Sequence, residues 1–365
     1  MSRRVLVGMS GGVDSCVAAA LLAEAGDDVI GVSLQLYDHS EAGRKTRCCS
    51  PEDFLDARKV ASVFGFPYYV INREEAFTRH VLDNFVDEYR RGRTPNPCVR
   101  CNAGVKFETL TKLAHELGAD AVATGHYARL AADPATGRPR LRRARDDGKD
   151  QSYFLFDLSP EQLDRAVFPL GEKTKSEVRA HAVRLGLSMA DKPESQDVCF
   201  VEGGDYREFL ARRLAAGGQK EPAGEIVDNQ GAVLARHTGL SGFTVGQRRG
   251  LGVSTGDKLY VIRLDARSNH VVLGGEDELM CSALTLSGTR IHHPRSAGSP
   301  GSFPARVSVR YRHAGAEAIV VPHDDTRSTI RFAQPLRGAS PGQAAVFYEG
   351  DVVLGGGWID TVSPS

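Results

Sequence analysis

Equal numbers of acidic and basic side chains, 46 of each in 365 residues, exclude a globally basic nucleic-acid binder and leave any contact with RNA to local patches. A composition of 41% hydrophobic and 25% charged residues is that of a folded globular protein, long enough for two or three domains. No apolar run approaches the ~18–20 residues needed to cross a bilayer, and the chain enters a short strand at once, with no leader pattern ahead of it; a cytoplasmic protein without a membrane partner is expected.

The first element is an apolar run, Val5-Leu6-Val7-Gly8-Met9. Ser10-Gly11-Gly12-Val13-Asp14-Ser15 follows, and then a helical apolar pattern over 17–25 that ends at Gly26. A strand-to-helix turn with paired glycines cradles phosphate. The glycines let the backbone approach closely, and the first N–H groups of the helix point outward. Ser10 and Ser15 add hydroxyls. Asp14 would repel a phosphate unless a cation bridges the two, which makes it the expected Mg²⁺ partner. The stretch lacks the lysine of the G-x-x-x-x-G-K-[ST] loop and does not fit G-x-G-x-x-G. It resembles instead the SGGxDS pyrophosphate loop of the ATP pyrophosphatases, which implies attack on the α-phosphate of ATP.

Residues 28–36 read as a second strand. Ser50-Pro51-Glu52-Asp53 opens a helix with an N-cap, a proline and an acidic first turn; Ala57, Val60, Ala61 and Phe64 give it an apolar face, and Gly65 ends it. A third strand covers 67–71. A longer helix covers 74–90, with Phe77, Val81, Phe85 and Tyr89 four residues apart. Residues 92–101 are expected to be a loop, because Pro95 and Pro97 oppose a helix. A helix over 107–117 precedes a strand at 121–124 and Gly125-His126-Tyr127. Strands alternating with helices predict an α/β domain with a doubly wound parallel sheet. Ligands of such sheets bind beyond the carboxyl ends of the strands, where the Ser10 loop and Gly125-His126 both fall.

Residues 133–150 are polar and predict a surface hairpin or a mobile loop. Helices are expected at 174–185 and 206–214, with a short extended stretch at 195–200 between them. After Gly217 helical periodicity fades, and short apolar runs separated by Gly, Pro, Asn and Asp predict two small β domains, the last a β-barrel. The expected domains are 1–216, 217–277 and 278–365.

Seven cysteines, an odd number, argue against a disulfide framework. Cys16 and Cys281 sit in apolar surroundings and read as core. Cys98-Val-Arg-Cys101 is a C-x-x-C pair, which the residues alone leave open as a redox dithiol, half a zinc site or cluster ligands; Cys48, Cys49, His126 and Cys199 are the next donors along the chain. Arg138, Arg140, Arg142, Arg143, Arg145 and Lys149 crowd one segment, and Arg290, Arg295, Arg306, Arg310 and Arg312 recur near the C-terminus. Such runs are either solvated faces or phosphate-binding patches.

The Ser10 loop, the segment 92–102, Ala123-Thr-Gly-His-Tyr127, Lys149-Asp-Gln-Ser-Tyr-Phe154, Asp197-Val-Cys-Phe200, Gly246-Gln-Arg-Arg-Gly-Leu-Gly252 and Pro341-Gly-Gln-Ala-Ala-Val-Phe-Tyr348 together resemble the bacterial tRNA-specific 2-thiouridylases. The resemblance runs from residue 4 to about residue 358. It implies ATP-dependent thiolation of the wobble uridine of the tRNAs for Lys, Glu and Gln, with sulfur delivered by a cysteine desulfurase or by relay proteins. It implies that Cys199 carries a persulfide and that Cys101 assists transfer, the two ending as a disulfide. By the same resemblance Gly8, Met9, Ser10, Gly11, Gly12, Val13, Asp14, Ser15, Leu34 and Gly125 contact ATP, and Asn96, Pro97 and Cys98 border the target base. Lys149, Asp150, Gln151, His126, Arg310, Tyr311 and Gln343 contact tRNA. Some members carry Asp where this chain has Cys98, so an acid–base role is not carried over. The exchange leaves Cys98, Cys101 and Cys199 as three thiols suited to an iron–sulfur cluster. Two other classes share part of these features: an amidating ATP pyrophosphatase ligase, which needs neither Cys101 nor Cys199, and a zinc- or cluster-bearing RNA-binding protein without turnover.

Overall fold

The computed structural model describes residues 2–37, 50–187, 189–190, 198–201, 205–253, 258–292 and 301–365; Cys48, Cys49 and the segment 195–197 lie outside the described residues. The chain divides into two compact units. One comprises Met1–Val81, Cys98–Gly204 and Asp351–Val353; the other comprises Leu82–Pro97, Asp205–Gly350 and Leu354–Ser365.

The first unit is built on strands β1 (Arg4–Gly8), β2 (Asp28–Gln35), β3 (Tyr68–Asn72) and β4 (Ala121–Thr124). A hairpin follows, β5 (Arg129–Ala132) and β6 (Pro139–Arg142), and then β7 (Ala166–Val167). The sheet order is β3-β2-β1-β4-β7, and every pair is parallel. Both faces are covered, so β1 is an unbroken apolar run: Val5, Leu6 and Val7 are fully buried. Helix α1 (Val13–Glu24) buries Cys16, Val17, Ala18, Ala19 and Ala20 in a core shared with Val178 and Ala182. Helix α2 (Pro51–Phe64) starts on a reciprocal Ser50–Asp53 capping box and ends on Gly65 in the left-handed region. The order of connection reverses between β1 and β4. Their carboxyl ends, Gly8 and Thr124, therefore flank the crevice where such sheets bind ligands.

Three expectations are corrected. The segment 92–101 is not loop throughout, since a helical turn covers Pro97–Cys101. A proline is tolerated in the first turn, where its missing N–H would have no partner anyway. The chain then continues as a π-turn over Asn102–Phe107 and an α-helix over Glu108–Glu116, and a second π-turn, Thr78–Leu82, interrupts the 74–90 helix. Hydrophobic periodicity does not report such one-residue widenings. Finally, Val198–Val201 is a turn and not an extended stretch: the Val201 N–H donates to Val198 O at 3.0 Å.

In the second unit β8 (Gly224–Asp228), β9 (Val233–His237), β10 (Tyr260–Asp265) and β11 (His270–Gly274) form a sheet ordered β10-β11-β8-β9. Its core contains Ile226, Leu240, Phe243, Leu251, Val261, Val271 and Leu273. Strands β12 (Met280–Ile291), β13 (Phe303–Ser308), β14 (Ala316–Pro322), β15 (Ser328–Arg337), β16 (Ala344–Glu349) and β17 (Val352–Pro364) follow in the order β12-β15-β14-β13-β16-β17. Pairing of β12 with β17 closes them into a six-strand barrel, which removes the exposed edges. Cys281 is buried in its wall, and burial pushes its thiol pKa up to about 11.

Candidate active site

The loop between β1 and α1 is held open by its own serines. The Ser10 N–H donates to Ser15 Oγ at 3.0 Å, Ser15 Oγ donates to Gly12 O at 3.1 Å, and the two hydroxyl oxygens lie 3.2 Å apart. Gly12 is the N-cap of α1 and offers no side chain to its first N–H groups, which leaves those donors for an anion. Met9 is pinned from both sides: its N–H donates to Val32 O at 2.8 Å, and its carbonyl accepts from Ser33 Oγ at 2.6 Å. Gly8, Met9 and Val13 thus shape the loop, and Leu34 is buried further along β2.

Two glycines are required by close approach. Gly11 has φ +75°, and a Cβ there would meet Asp53 O at 2.2 Å; a Cβ on Gly125 would meet the Ser15 nitrogen at 2.6 Å. Gly11→Ala is expected to destabilise the protein by about 1–2 kcal/mol from the left-handed backbone alone, and by more from the clash. A thermal melt with and without nucleotide measures both that cost and the loss of nucleotide-dependent stabilisation.

Asp14 meets partners that lie far along the chain. Lys175 Nζ donates to its two carboxylate oxygens at 2.7 and 2.8 Å, and the Tyr127 hydroxyl donates to Oδ1 at 2.8 Å. Lys175 is itself buried and packs its ammonium 5.8 Å from the centre of the Tyr127 ring. It is the first residue of the helix Lys175–Arg184, capped by Thr174 and Glu177. A cation at a helix N-terminus opposes the helix dipole, so a buried Lys there needs an anion, and Asp14 is that anion. Neither Lys175 nor Tyr127 stood among the expected site residues. The only signal for Lys175 in the sequence is its unfavourable place just after an N-cap.

The Asp14 carboxylate is thus held in place by two distant side chains. Its oxygens are engaged by Lys175 and Tyr127, and among the described residues no three His, Cys, Asp or Glu side chains are arranged to hold a metal ion.

Of the cysteines, Cys101 is buried at the end of the Pro97–Cys101 turn, Cys98 is exposed and Cys199 is part-exposed. Cys199 stands in the Val198–Val201 turn, anchored by Phe200, whose buried ring meets Phe77 edge-on at 5.7 Å. Cys98, Cys101 and Cys199 do not form a three-ligand cluster site in this arrangement.

The residues expected at tRNA separate into two groups. Arg310 is exposed and Tyr311 part-exposed in the loop between β13 and β14, with the Arg312 guanidinium 5.4 Å from the Tyr311 ring centre. Lys149 is part-exposed too. Asp150, Gln151 and Gln343 instead work inward. Asp150 is buried and accepts from the Ala144 N–H, the Ser152 N–H and hydroxyl, and Arg143. Gln151 accepts from the Tyr127 N–H at 2.9 Å and donates its own N–H to Tyr127 O at 2.8 Å, fixing the chain beside Asp14. The Gln343 amide donates to the Thr94 and Pro95 carbonyls, both at 3.1 Å, just ahead of buried Asn96 and Pro97. The basic run is paired as well: Arg140 with Asp133, Arg142 with Asp351 at 2.8 Å, Arg143 with Asp150 at 3.1 Å and Arg145 with Glu177 at 3.4 Å.

His126 packs among Phe107 and Phe168 with Nδ1 2.8 Å from Thr124 Oγ1. Burial, helped by the charge of Lys106, lowers its pKa to about 3. It is therefore neutral at pH 7. Between pH 6.5 and 3 the unfolded chain binds a proton that the native site refuses, so stability rises with pH by up to about 1.4 kcal/mol per unit across that window. His126→Asn should flatten that part of the stability profile, and denaturant melts at pH 4, 5, 6 and 7 read it directly. An unchanged profile would show that His126 is protonated in the native state.

Family models match in sequence order: a tRNA methyl transferase HUP domain over residues 3–203, a tRNA methyl transferase PRC-barrel domain over 207–275 and an aminomethyltransferase β-barrel domain over 283–359. Curated relatives match end to end. The chain is 50% identical over 363 residues to the tRNA-specific 2-thiouridylase MnmA of Geobacter metallireducens, covering 98% of this chain and 97% of that one. It is 48% identical to the protein of the same name from Geotalea uraniireducens, covering 98% and 95%, and 47% identical to that of Solibacter usitatus, covering 98% and 99%. The α/β unit, the small β domain and the closed barrel are the parts those models describe, and at this identity over the full length the chain belongs to the tRNA-specific 2-thiouridylase family.

Proposed function

We propose that this protein is a cytoplasmic sulfurtransferase that uses ATP to thiolate C2 of the wobble uridine in the tRNAs for Lys, Glu and Gln. The observation that carries the reading is the anion cradle at the β1–β4 crevice, Ser10 to Ser15 with the Lys175–Asp14 pair beside it, in a unit that also holds Cys101 and Cys199. The catalytic domain is taken as 1–216, followed by a central β domain, 217–277, and a barrel, 278–365.

In this reading the uracil O2 attacks the α-phosphate of ATP and pyrophosphate leaves. A carbonyl oxygen is a poor leaving group, and as AMP it becomes a good one. The first-turn N–H groups of α1 and the Ser10 and Ser15 hydroxyls bind the phosphate oxygens, and Lys175, held by Asp14, adds positive charge where the leaving pyrophosphate gains negative charge. A magnesium ion carried by the nucleotide would offset the charge of its phosphates. A cysteine desulfurase, or a relay protein, leaves Cys199 as a persulfide. The terminal sulfur bonds to C2 and AMP departs with O2. Cys101 then attacks Cys199 Sγ, the sulfur–sulfur bond breaks, the freed sulfur stays on the base, and a Cys101–Cys199 disulfide remains. A thiol reductant supplies two electrons to restart the cycle. Asn96, Pro97 and Cys98 border the base, which must leave the anticodon stack to react. Lys149, Arg310 and Tyr311 contact the tRNA, while Asp150, Gln151 and Gln343 act by holding the loops that do.

Incubation with ATP, tRNA, cysteine and a desulfurase tests the reading. Nucleoside mass spectrometry should find 2-thiouridine at the wobble position, with one pyrophosphate released per sulfur transferred. Release that requires ammonia but not tRNA would overturn it in favour of an amidating ligase.

A further inference from the structure

The segment Gly246-Gln-Arg-Arg-Gly-Leu-Gly252 has no part in the anion cradle or the cysteine chemistry. It lies in the small β domain, anchored by two buried core residues, Phe243 just ahead of it and Leu251 within it. Between them the backbone is fixed. The Gly246 N–H donates to Val261 O at 2.8 Å, and the Val261 N–H donates to Gln247 O at 2.9 Å, so the loop is laced to β10. The Gln247 side chain closes it: its Oε1 accepts from the Thr244 N–H at 3.1 Å, and its Nε2 donates to Arg249 O at 2.9 Å. Gly246, Gly250 and Gly252 take left-handed φ values of 87°, 72° and 69°.

This framework displays two consecutive arginines. Arg248 and Arg249 are exposed, and among the described residues neither forms an ion pair or a side-chain hydrogen bond. The contrast with the 138–145 run is direct, because four arginines there are each spent on a carboxylate. Merely solvated arginines need no braced loop. Two guanidinium forks on a rigid turn suit oxygens of a polyanion, since each fork can grip a phosphate in two places and little backbone freedom is lost on binding.

We infer that Arg248 and Arg249 form a phosphate clamp for the sugar–phosphate backbone of the tRNA substrate, with Gln247 as the residue that positions them. The inference rests on tRNA being the substrate. Its partner is RNA backbone and not the nucleotide, so it acts on tRNA binding and leaves ATP handling alone.

The test measures tRNA affinity of the full-length protein against salt concentration for the wild type, R248Q/R249Q and R248K/R249K. The double Gln variant should bind about tenfold or more weakly near 0.1 M salt, and its log–log salt slope should fall in magnitude by roughly 1.4–1.8, two contacts at ~0.7–0.9 each. The double Lys variant should recover most of the slope but less of the affinity. ATP KM and melting temperature should match wild type in both, and Gln247→Ala should weaken tRNA binding without changing the slope as much. Wild-type affinity and slope in R248Q/R249Q would overturn the clamp while leaving the thiolation reading intact. A wild type that does not bind tRNA at all would overturn that reading itself.

Discussion

Replacing Cys199 with Ser is expected to reduce 2-thiouridine formation to background while tRNA-dependent pyrophosphate release continues. The two half-reactions use different groups. In the proposed reaction adenylation draws on the Ser10–Ser15 cradle and its Lys175–Asp14 pair, and sulfur transfer on a sulfur atom at position 199. A hydroxyl cannot carry a persulfide. The exchange of sulfur for oxygen at a part-exposed turn residue removes no core packing, because buried Phe200 anchors the turn. Stability should stay within ~0.5 kcal/mol of wild type. Cys101→Ser should block turnover too, but it should still accept sulfur from a desulfurase on Cys199. Nucleoside mass spectrometry beside a pyrophosphate assay separates the two steps. Thiolation by Cys199→Ser at the wild-type rate would remove the persulfide from that position.

Lys175→Met is expected to slow pyrophosphate release by about 10²–10³-fold, the usual loss when one preorganised positive or donor group is taken from a site of developing negative charge. Lys175→Arg should recover part of the rate, since charge is kept while geometry shifts. Stability distinguishes this account from a structural one. Met fills similar volume and removes a buried charge, so Lys175→Met should fold well. Asp14→Asn should be worse: it removes the carboxylate that accepts two hydrogen bonds from Lys175, whose side chain is 10% exposed. Stranding a fully buried charge costs about 3–5 kcal/mol, and less is expected here because the Asp14 side of the pair is 32% exposed to water. Melting temperatures and pre-steady-state pyrophosphate bursts on the same variants measure both effects. A Lys175→Met enzyme that loses stability but keeps its rate would make the pair a scaffold only.

The strand–loop–helix turn from β1 to α1 was legible because its signals are local. Strand, glycines, hydroxyls and helix start lie within a dozen residues, and the parallel sheet then places Gly125 against Ser15. Lys175 was not legible, because it reaches Asp14 from 161 positions away and no short-range pattern announces a partner at that distance. The same holds for Gln343, which spends its amide on the backbone of Thr94 and Pro95, and for Asp150, whose carboxylate is saturated by its own neighbourhood. Gln343 and Asp150 fall within recognisable sequence signatures, yet a signature does not reveal which backbone groups a side chain will hold. The pairing of the arginines from 138 to 145 was hidden for a related reason. Charge is counted along the chain, but Asp351 and Glu177, which neutralise it, come from distant segments. The helical turn at Pro97 escaped because proline opposes only the interior of a helix, not its first turn.

The most direct test is a single-turnover reaction under anaerobic conditions. Metal-analysed protein is loaded with labelled sulfur by a cysteine desulfurase, freed of excess donor, and mixed with ATP and tRNA. The account predicts that protein without iron or zinc transfers its label from Cys199 to the wobble base, releases one pyrophosphate per sulfur and ends with a Cys101–Cys199 disulfide. Transfer that occurs only in samples holding stoichiometric iron and acid-labile sulfide, and is lost on exposure to air, would contradict it and assign Cys98, Cys101 and Cys199 to a cluster instead.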